Sequence, residues 1–151
     1  MEIILKRMSE EHISQIAEIE KECFSDPWSE AAIKEELENE NSYFLVAVGE
    51  TVVGYIGVQE ICGEAYITNV AVTAKSRKSG IGRMLLRAAC SGAESRNCEF
   101  ITLEVRESNY PAISLYESEG FERAGIRKNF YSAPKENGII YTKYFNTEVW
   151  K

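Results

Sequence analysis

Residues 77 to 83 read Arg-Lys-Ser-Gly-Ile-Gly-Arg and follow Asn69-Val70-Ala71-Val72, an apolar run with strand character. The residues after them repeat with helical spacing. Strand, glycine-bearing turn and helix together make an anion site. Glycine lets the backbone approach a ligand closely, and the first turn of a helix presents unpaired N–H groups at the positive end of its dipole. Three cationic side chains, Arg77, Lys78 and Arg83, stand beside this turn, so a diphosphate is a natural guest. Neither common nucleotide motif fits. A P-loop ends in Gly-Lys-Ser/Thr, whereas Arg83 and Met84 follow Gly82, and the dinucleotide fingerprint needs a third glycine where Leu85 stands. Two glycines alone are equally compatible with a plain turn carrying a basic, solvated face.

A second chemical feature is the strict alternation of Phe100 to Arg106. Ile101, Leu103 and Val105 face one way, and Thr102, Glu104 and Arg106 the other. Glu104 is therefore a carboxylate on the polar side of a strand, suited to taking a proton or to an ion pair with Arg106 or a helix. Tyr116 lies in a helical stretch after Asn109, where an aromatic packs on the core with a wet hydroxyl.

The elements that position these groups follow from patterning. Ile3 to Arg7 reads as a strand. Ser9 caps a helix with Ile13, Ile16, Ala17 and Phe24 at helical spacing, and Asp26-Pro27 breaks it. Ser29 caps a second, short helix carrying Ile33 and Leu37. Tyr43–Val48, Val52–Ile61 and Ala65–Val72 form a meander with turns at Gly49-Glu50 and Cys62-Gly63. A helix runs from Gly82 to Arg96, burying Leu85, Leu86 and Ala89, and Phe100–Arg106 follows. Asn109, Pro111 and Gly120 bracket another helix. Strands at Arg123–Phe130 and Ile139–Phe145 finish the chain. The order β-α-α-β-β-β-α-β-α-β-β predicts a single α+β domain over residues 1–151, with a mixed, mostly antiparallel sheet flanked by helices and one βαβ step.

The whole chain narrows the function classes. Its 151 residues suit one domain, and 44% hydrophobic with 27% charged residues excludes collagen-like or disordered chains. No apolar run approaches the roughly 20 residues of a membrane helix. The segment Met1 to Arg7 lacks a signal-peptide pattern, so a cytoplasmic protein with reduced thiols is expected. Seventeen basic against 24 acidic residues give a net charge of −7. A nucleic-acid partner is therefore not expected, while a basic protein partner would be attracted. Cys23, Cys62, Cys90 and Cys98 form no C-x-x-C pair, and His12 is the single histidine. Neither a metal site nor a catalytic cysteine is expected. His12 reads as a surface residue, the acidic stretch Glu35-Glu36-Glu38-Glu40 as a solvated helix face, and Phe24, Trp28 and Tyr131 as either core or groove walls.

The motif Arg77-x-x-Gly80-x-Gly82, closing a strand and opening a helix, resembles the acetyl-coenzyme A loop of the GNAT superfamily of N-acetyltransferases. The order of elements matches that family across essentially the whole chain. Leu103-Glu104-Val105-Arg106-Glu107-Ser108-Asn109 looks like the bacterial ribosomal-protein alanine N-acetyltransferase group within it. So do Ala112-Ile113, Leu115-Tyr116-Glu117, Gly120-Phe121, Phe24-Ser25-Asp26-Pro27-Trp28-Ser29 and Arg127-x-x-Phe130-Tyr131. The resemblance implies acetyl-CoA as co-substrate and no metal. It also implies the N-terminal alanine of small-subunit ribosomal protein S-eighteen as acceptor. By the same resemblance, Val70 and Val72, with Ala71 between them, offer backbone hydrogen bonds to the acetyl and pantetheine arm. Arg77 opens the loop, Lys78, Ser79, Gly80, Ile81, Gly82 and Arg83 wrap the diphosphate, and Asn109 touches the coenzyme. Glu104 is implied as general base and Tyr116 as general acid. Two other readings stay open: an acetyltransferase for other N-termini, lysines or small amines, and a coenzyme-binding module without catalysis.

Overall fold

The computed structural model describes residues 2–145. Strand β1 (Ile4–Arg7) is followed by a 3-10 turn at Glu10–His12, helices α1 (Ile13–Cys23) and α2 (Glu30–Glu38), and strands β2 (Ser42–Val48), β3 (Val52–Ile61) and β4 (Glu64–Val72). Helix α3 (Ile81–Ser95), β5 (Phe100–Arg106), α4 (Tyr110–Ser118), β6 (Glu122–Ser132) and β7 (Lys135–Tyr144) complete it. This is the predicted order. The strands form one sheet, β1-β2-β3-β4-β5-β7-β6, in which only β4 and β5 run parallel.

Local chemistry accounts for the boundaries. The Ser29 hydroxyl accepts from the Ala32 N–H at 3.1 Å and starts α2. Cys62 and Gly63 both take positive φ, 52° and 81°, which matches the twist of a two-residue hairpin. Asn109 caps α4, its side chain accepting from the Ala112 N–H at 3.3 Å. Helix α3 begins one residue earlier than the sequence suggests, because Gly80 takes the left-handed conformation, φ 85°, as its N-cap.

Three expectations change. His12 is buried, 6% exposed, and its Nδ1 accepts from the Ser9 N–H at 3.0 Å. It stands three residues after the cap, where a side chain can satisfy a free N–H of the first turn. Glu36 is no solvated carboxylate: it accepts from Ser42 Oγ at 2.7 Å and Gln59 Nε2 at 3.0 Å, tying α2 to β2 and β3. Finally, β6 and β7 extend to a tight turn at residues 133–134, with Tyr131 opposite Glu136 and Ser132 opposite Lys135. Polar residues hid this hairpin, because backbone pairing at a sheet edge needs no apolar pattern.

The sheet separates two cores. Leu85, Leu86 and Ala89 of α3 pack on Ile56, Ile67, Ile101 and Leu103. On the opposite face, Ile13 and Ile16 of α1 and Ile33 of α2 pack on Phe44, Val46, Tyr55 and Ala71. Gly57 is required here, since a Cβ would meet the Phe44 ring at 2.5 Å.

Two departures from regular pairing create the site. Strand β4 bulges: Gly57 pairs with Asn69 but Val58 with Ile67, leaving Thr68 as the extra residue. The bulge shifts the alternation, so Ala65, Ile67, Val70 and Val72 face α3, while Ala71 faces α1 and α2. The β4–β5 ladder also stops early. It holds only Glu64–Tyr66 against Phe100–Thr102, although β5 stays paired to β7 through Arg106 and β4 to β3 through Val72. Beyond Tyr66 the two parallel strands part, and a cleft opens in the middle of the sheet.

Candidate active site

On the α3 face of the cleft lies a cavity of about 650 Å³. Its floor is β4 from Val70 to Val72, one wall is the loop and first turn of α3, another is α4 from its cap Asn109 to Tyr116, and Cys23 and Phe24 at the end of α1 close it. The Val72 carbonyl points away from β3, since it accepts from Arg77 Nε at 3.0 Å and from the Cys23 thiol at 3.6 Å. Val70, two residues earlier, turns its own N–H and C=O the same way. They meet no strand there, since the β4–β5 ladder ends at Tyr66, and are offered to the cleft.

The loop forms the end of the cavity suited to an anion. The first bond into α3 is made by the Met84 N–H to Gly80 O at 3.0 Å, which leaves the N–H groups of Ile81, Gly82 and Arg83 ahead of the intrahelical ladder. Val70, Ala71, Val72, Arg77, Lys78, Gly80, Ile81, Gly82, Arg83 and Asn109 all line the cavity. Ser79 does not; its hydroxyl donates back to the Ser76 carbonyl. Arg83 lines the wall, but its guanidinium donates to Ser118 Oγ at 3.0 Å and pairs with Glu119, which Arg87 also binds. Arg83 thus braces α3 against α4, and its backbone N–H is the group it leaves toward the cavity. Cationic side chains, free N–H groups and an apolar trough suit a long ligand with an acidic end and a thioester arm.

Gly82 gives a direct test. A Cβ there would meet Leu115 Cδ2 at 3.6 Å and Val72 Cγ2 at 3.9 Å, ordinary contacts, so Gly82→Val is expected to leave the fold intact. Gly82 lines the cavity, so the added side chain is expected to crowd it. At a hundredfold excess over its dissociation constant, coenzyme A is expected to stabilise the parent by ~2.7 kcal/mol and the variant by almost nothing. Equal thermal shifts would remove the loop from the coenzyme site.

Tyr116 lies deep in this cavity, 5% exposed, with its ring 5.8 Å from Phe121 and 6.5 Å from Tyr141. Burial pushes its phenol well above the ordinary range, with a smaller push from Tyr131, so it keeps its proton. Glu104 does not line the cavity. It sits across the sheet, its side chain 8% exposed, paired to Arg127 Nε at 2.9 Å and accepting from the Tyr66 hydroxyl. The Arg106 pairing that spacing suggested goes elsewhere. Arg106 binds Glu136 at 3.2 Å and the Pro134 carbonyl at 2.9 Å, and stacks on Tyr131 at 4.4 Å. The Ser25 hydroxyl donates to the Ala133 carbonyl, so the α1–α2 segment and the β6–β7 turn meet. Of the groove candidates, Phe24 lines the cavity, Trp28 packs on Phe44 at 6.1 Å, and Tyr131 stands by Glu104, which helps push its phenol up to about 12 after burial.

Tyr66 and Arg127 carried no assigned role in the sequence. Arg127 belonged to a recognisable motif, but its partner lies 23 positions away on another strand, a pairing only the fold makes.

The sequence matches the acetyltransferase (GNAT) family over residues 13–121. It is 36% identical over 128 residues to the ribosomal protein bS18-alanine N-acetyltransferase of Salmonella typhimurium, covering 82% of this chain and 84% of that one. The crystal structure of the ribosomal-protein-S18-alanine N-acetyltransferase from Escherichia coli superposes with a TM-score of 0.88 at 27% identity, covering 99% of this chain and 100% of that one. A PaiA N-acetyltransferase from Thermoplasma acidophilum, solved in complex with coenzyme A, shares the fold at a TM-score of 0.81 and 19% identity, covering 96% of this chain and all of its own. With the family profile spanning most of its length and its fold repeated in these structures, this chain belongs to the GNAT family of acetyltransferases.

Proposed function

We propose that this protein transfers the acetyl group of acetyl-CoA to the N-terminal α-amine of a protein, the N-terminal alanine of ribosomal protein bS18, in the cytoplasm, with residues 1–151 acting as one catalytic domain. The observation that carries the reading is the two-sided cleft. A cavity with an anion-binding loop and Tyr116 opens on one face of β4 and β5, and Glu104 stands on the other. Such a cleft lets two substrates meet from opposite sides without an acyl-enzyme. The similarity to alanine N-acetyltransferases supports the choice of acceptor.

In this reading, Glu104 takes a proton from the attacking amine, directly or through one water. The Val70 peptide N–H stabilises the charge developing on the thioester oxygen. As the carbon–nitrogen bond forms and the carbon–sulfur bond breaks, Tyr116 gives its proton to the departing thiolate and regains one from solvent. A free α-amine has a pKa near ~7.7–8.0, well below that of lysine, so a carboxylate base suffices.

The test is thiol release from acetyl-CoA with peptides differing only at residue one. An alanine-initiated peptide with a free α-amine is expected to be preferred. Equal rates for an α-blocked peptide bearing a lysine would overturn the reading. Charge offers a further expectation. The net charge is −7, and Glu35, Glu38 and Glu40 are exposed near α2, so a whole basic ribosomal protein is drawn in over a Debye length of ~10 Å. Its kcat/KM is expected to fall as salt rises, while that of a short neutral peptide changes less. A flat profile for the whole protein argues for another partner.

A further inference from the structure

Glu20 is the most deeply buried carboxylate among the described residues, 1% exposed in the middle of α1, and acetyl transfer as described gives it no part. Three donors converge on it. The Trp28 N–H reaches Oε1 at 2.8 Å, and Asn69 Nδ2 reaches Oε2 at 2.7 Å together with the Tyr55 hydroxyl. A carboxylate only accepts, so the Asn69 atom facing it must be the NH₂ group. The other end of that amide, Oδ1, is thereby fixed in direction, and it makes no hydrogen bond to any described residue.

The bulge decides on which face Asn69 stands. Tyr66 pairs with Thr102 at the last rung of the β4–β5 ladder, and both neighbours of Tyr66, Ala65 and Ile67, face the α3 core. Two residues on along β5 comes Glu104. Three residues on along β4, because Thr68 is extra, comes Asn69. Asn69 and Glu104 are thus the next pair on the same face, separated by the cleft instead of joined by a ladder. Beside Asn69, the buried Thr68 Oγ1 also lacks a partner among the described residues. Thr68 Oγ1 is enclosed against Gly57 of β3, so of the two Asn69 alone presents unused hydrogen-bonding capacity on the face where Glu104 stands.

We infer that Asn69, held in one amide orientation by Glu20, is a positioning residue for the acceptor amine: its Oδ1 accepts one amine N–H while Glu104 receives the transferred proton. An attacking amine carries two hydrogens and needs its lone pair on the acetyl carbon. Two acceptors on opposite lips of the cleft hold both hydrogens and leave the lone pair aimed between them. The same Glu20 bonds the Trp28 backbone, so one buried carboxylate fixes the α1–α2 segment and this amide together.

This inference rests on the α-amine reading above, and the experiment separates the two. Steady-state transfer to an alanine-initiated peptide is measured for the parent, Asn69→Ala and Tyr55→Phe, with coenzyme A affinity and thermal midpoint measured for each. Asn69→Ala is expected to lower kcat/KM for the peptide roughly tenfold or more, the worth of one aligned hydrogen bond, with coenzyme affinity within about twofold. Tyr55→Phe removes another donor from the same oxygen of Glu20 but leaves Asn69 Oδ1 in place, and is expected to stay within about threefold of the parent. Where Asn69→Ala does not fold, Asn69→Thr carries the same expectation, since its hydroxyl can satisfy Glu20 but leaves no second polar atom for the cleft. Equal losses in the Asn69 and Tyr55 variants, or an unchanged Asn69 variant, overturn the inference. A parent that acetylates no free α-amine overturns the functional reading instead, and this inference with it.

Discussion

Glu104→Gln is expected to lower turnover by roughly 10²–10⁴ near neutral pH while leaving coenzyme A binding intact. Glu104 does not line the cavity beside the α3 loop, the proposed coenzyme site, so the substitution does not touch it. Nor does it dismantle the fold. The amide oxygen still accepts from the Tyr66 hydroxyl, and what is lost is an ion pair to Arg127, whose side chain is 56% exposed. The Arg127 left behind stays in contact with water, so the substitution strands no buried charge. The loss is kinetic because glutamine cannot take the amine's proton. It is expected to shrink as pH rises past the ~7.7–8.0 of a free α-amine, where the neutral nucleophile is already abundant. The measurement is kcat/KM for an alanine-initiated peptide between pH 6 and about 10, beside a coenzyme dissociation constant. A rate equal to the parent's near neutrality would remove Glu104 from the mechanism.

Tyr116→Phe separates acid catalysis from packing. The ring stays against Phe121 and Tyr141, and the hydroxyl donates to no described residue, so stability is expected to change little. If the hydroxyl protonates the departing thiolate, turnover drops by roughly 10²-fold or more with coenzyme affinity nearly unchanged. Because a thiolate leaves unaided more readily than an amine loses its proton unaided, this loss is expected to be smaller than that of Glu104→Gln. Burial raises the Tyr116 phenol above its ordinary value of ~10, and the sign is clear: the acid form persists to higher pH than in a free tyrosine. The parent is therefore expected to show no descending limb from this group below pH ~10. A variant with weakened coenzyme affinity but full turnover at saturation would make Tyr116 a packing group.

Much of this architecture is local and was legible along the chain. The alternation in β5, the caps at Ser29 and Asn109 and the left-handed Cys62-Gly63 turn each depend on neighbours within four residues. The order of elements and the glycine loop follow from such signals, and Gly80, Gly82 and Asn109 do converge on one cavity. What the chain by itself left open depends on partners far apart in sequence. Arg127 reaches Glu104 only because β7 and β6 lie beside β5 in that order, and Arg106 is drawn off to the β6–β7 turn by the same arrangement. Arg83 carries the right charge for a phosphate, yet its guanidinium bonds α4, because an ion pair with Glu119 satisfies both groups at the α3–α4 contact. His12 and Glu20 are polar residues that periodicity assigns to no core, and they are buried because backbone and side-chain donors happen to converge on them. The cleft itself has the same origin. One extra residue in β4 and a parallel ladder that stops at Tyr66 are matters of register between strands joined by a helix, and no local pattern encodes register across a crossover.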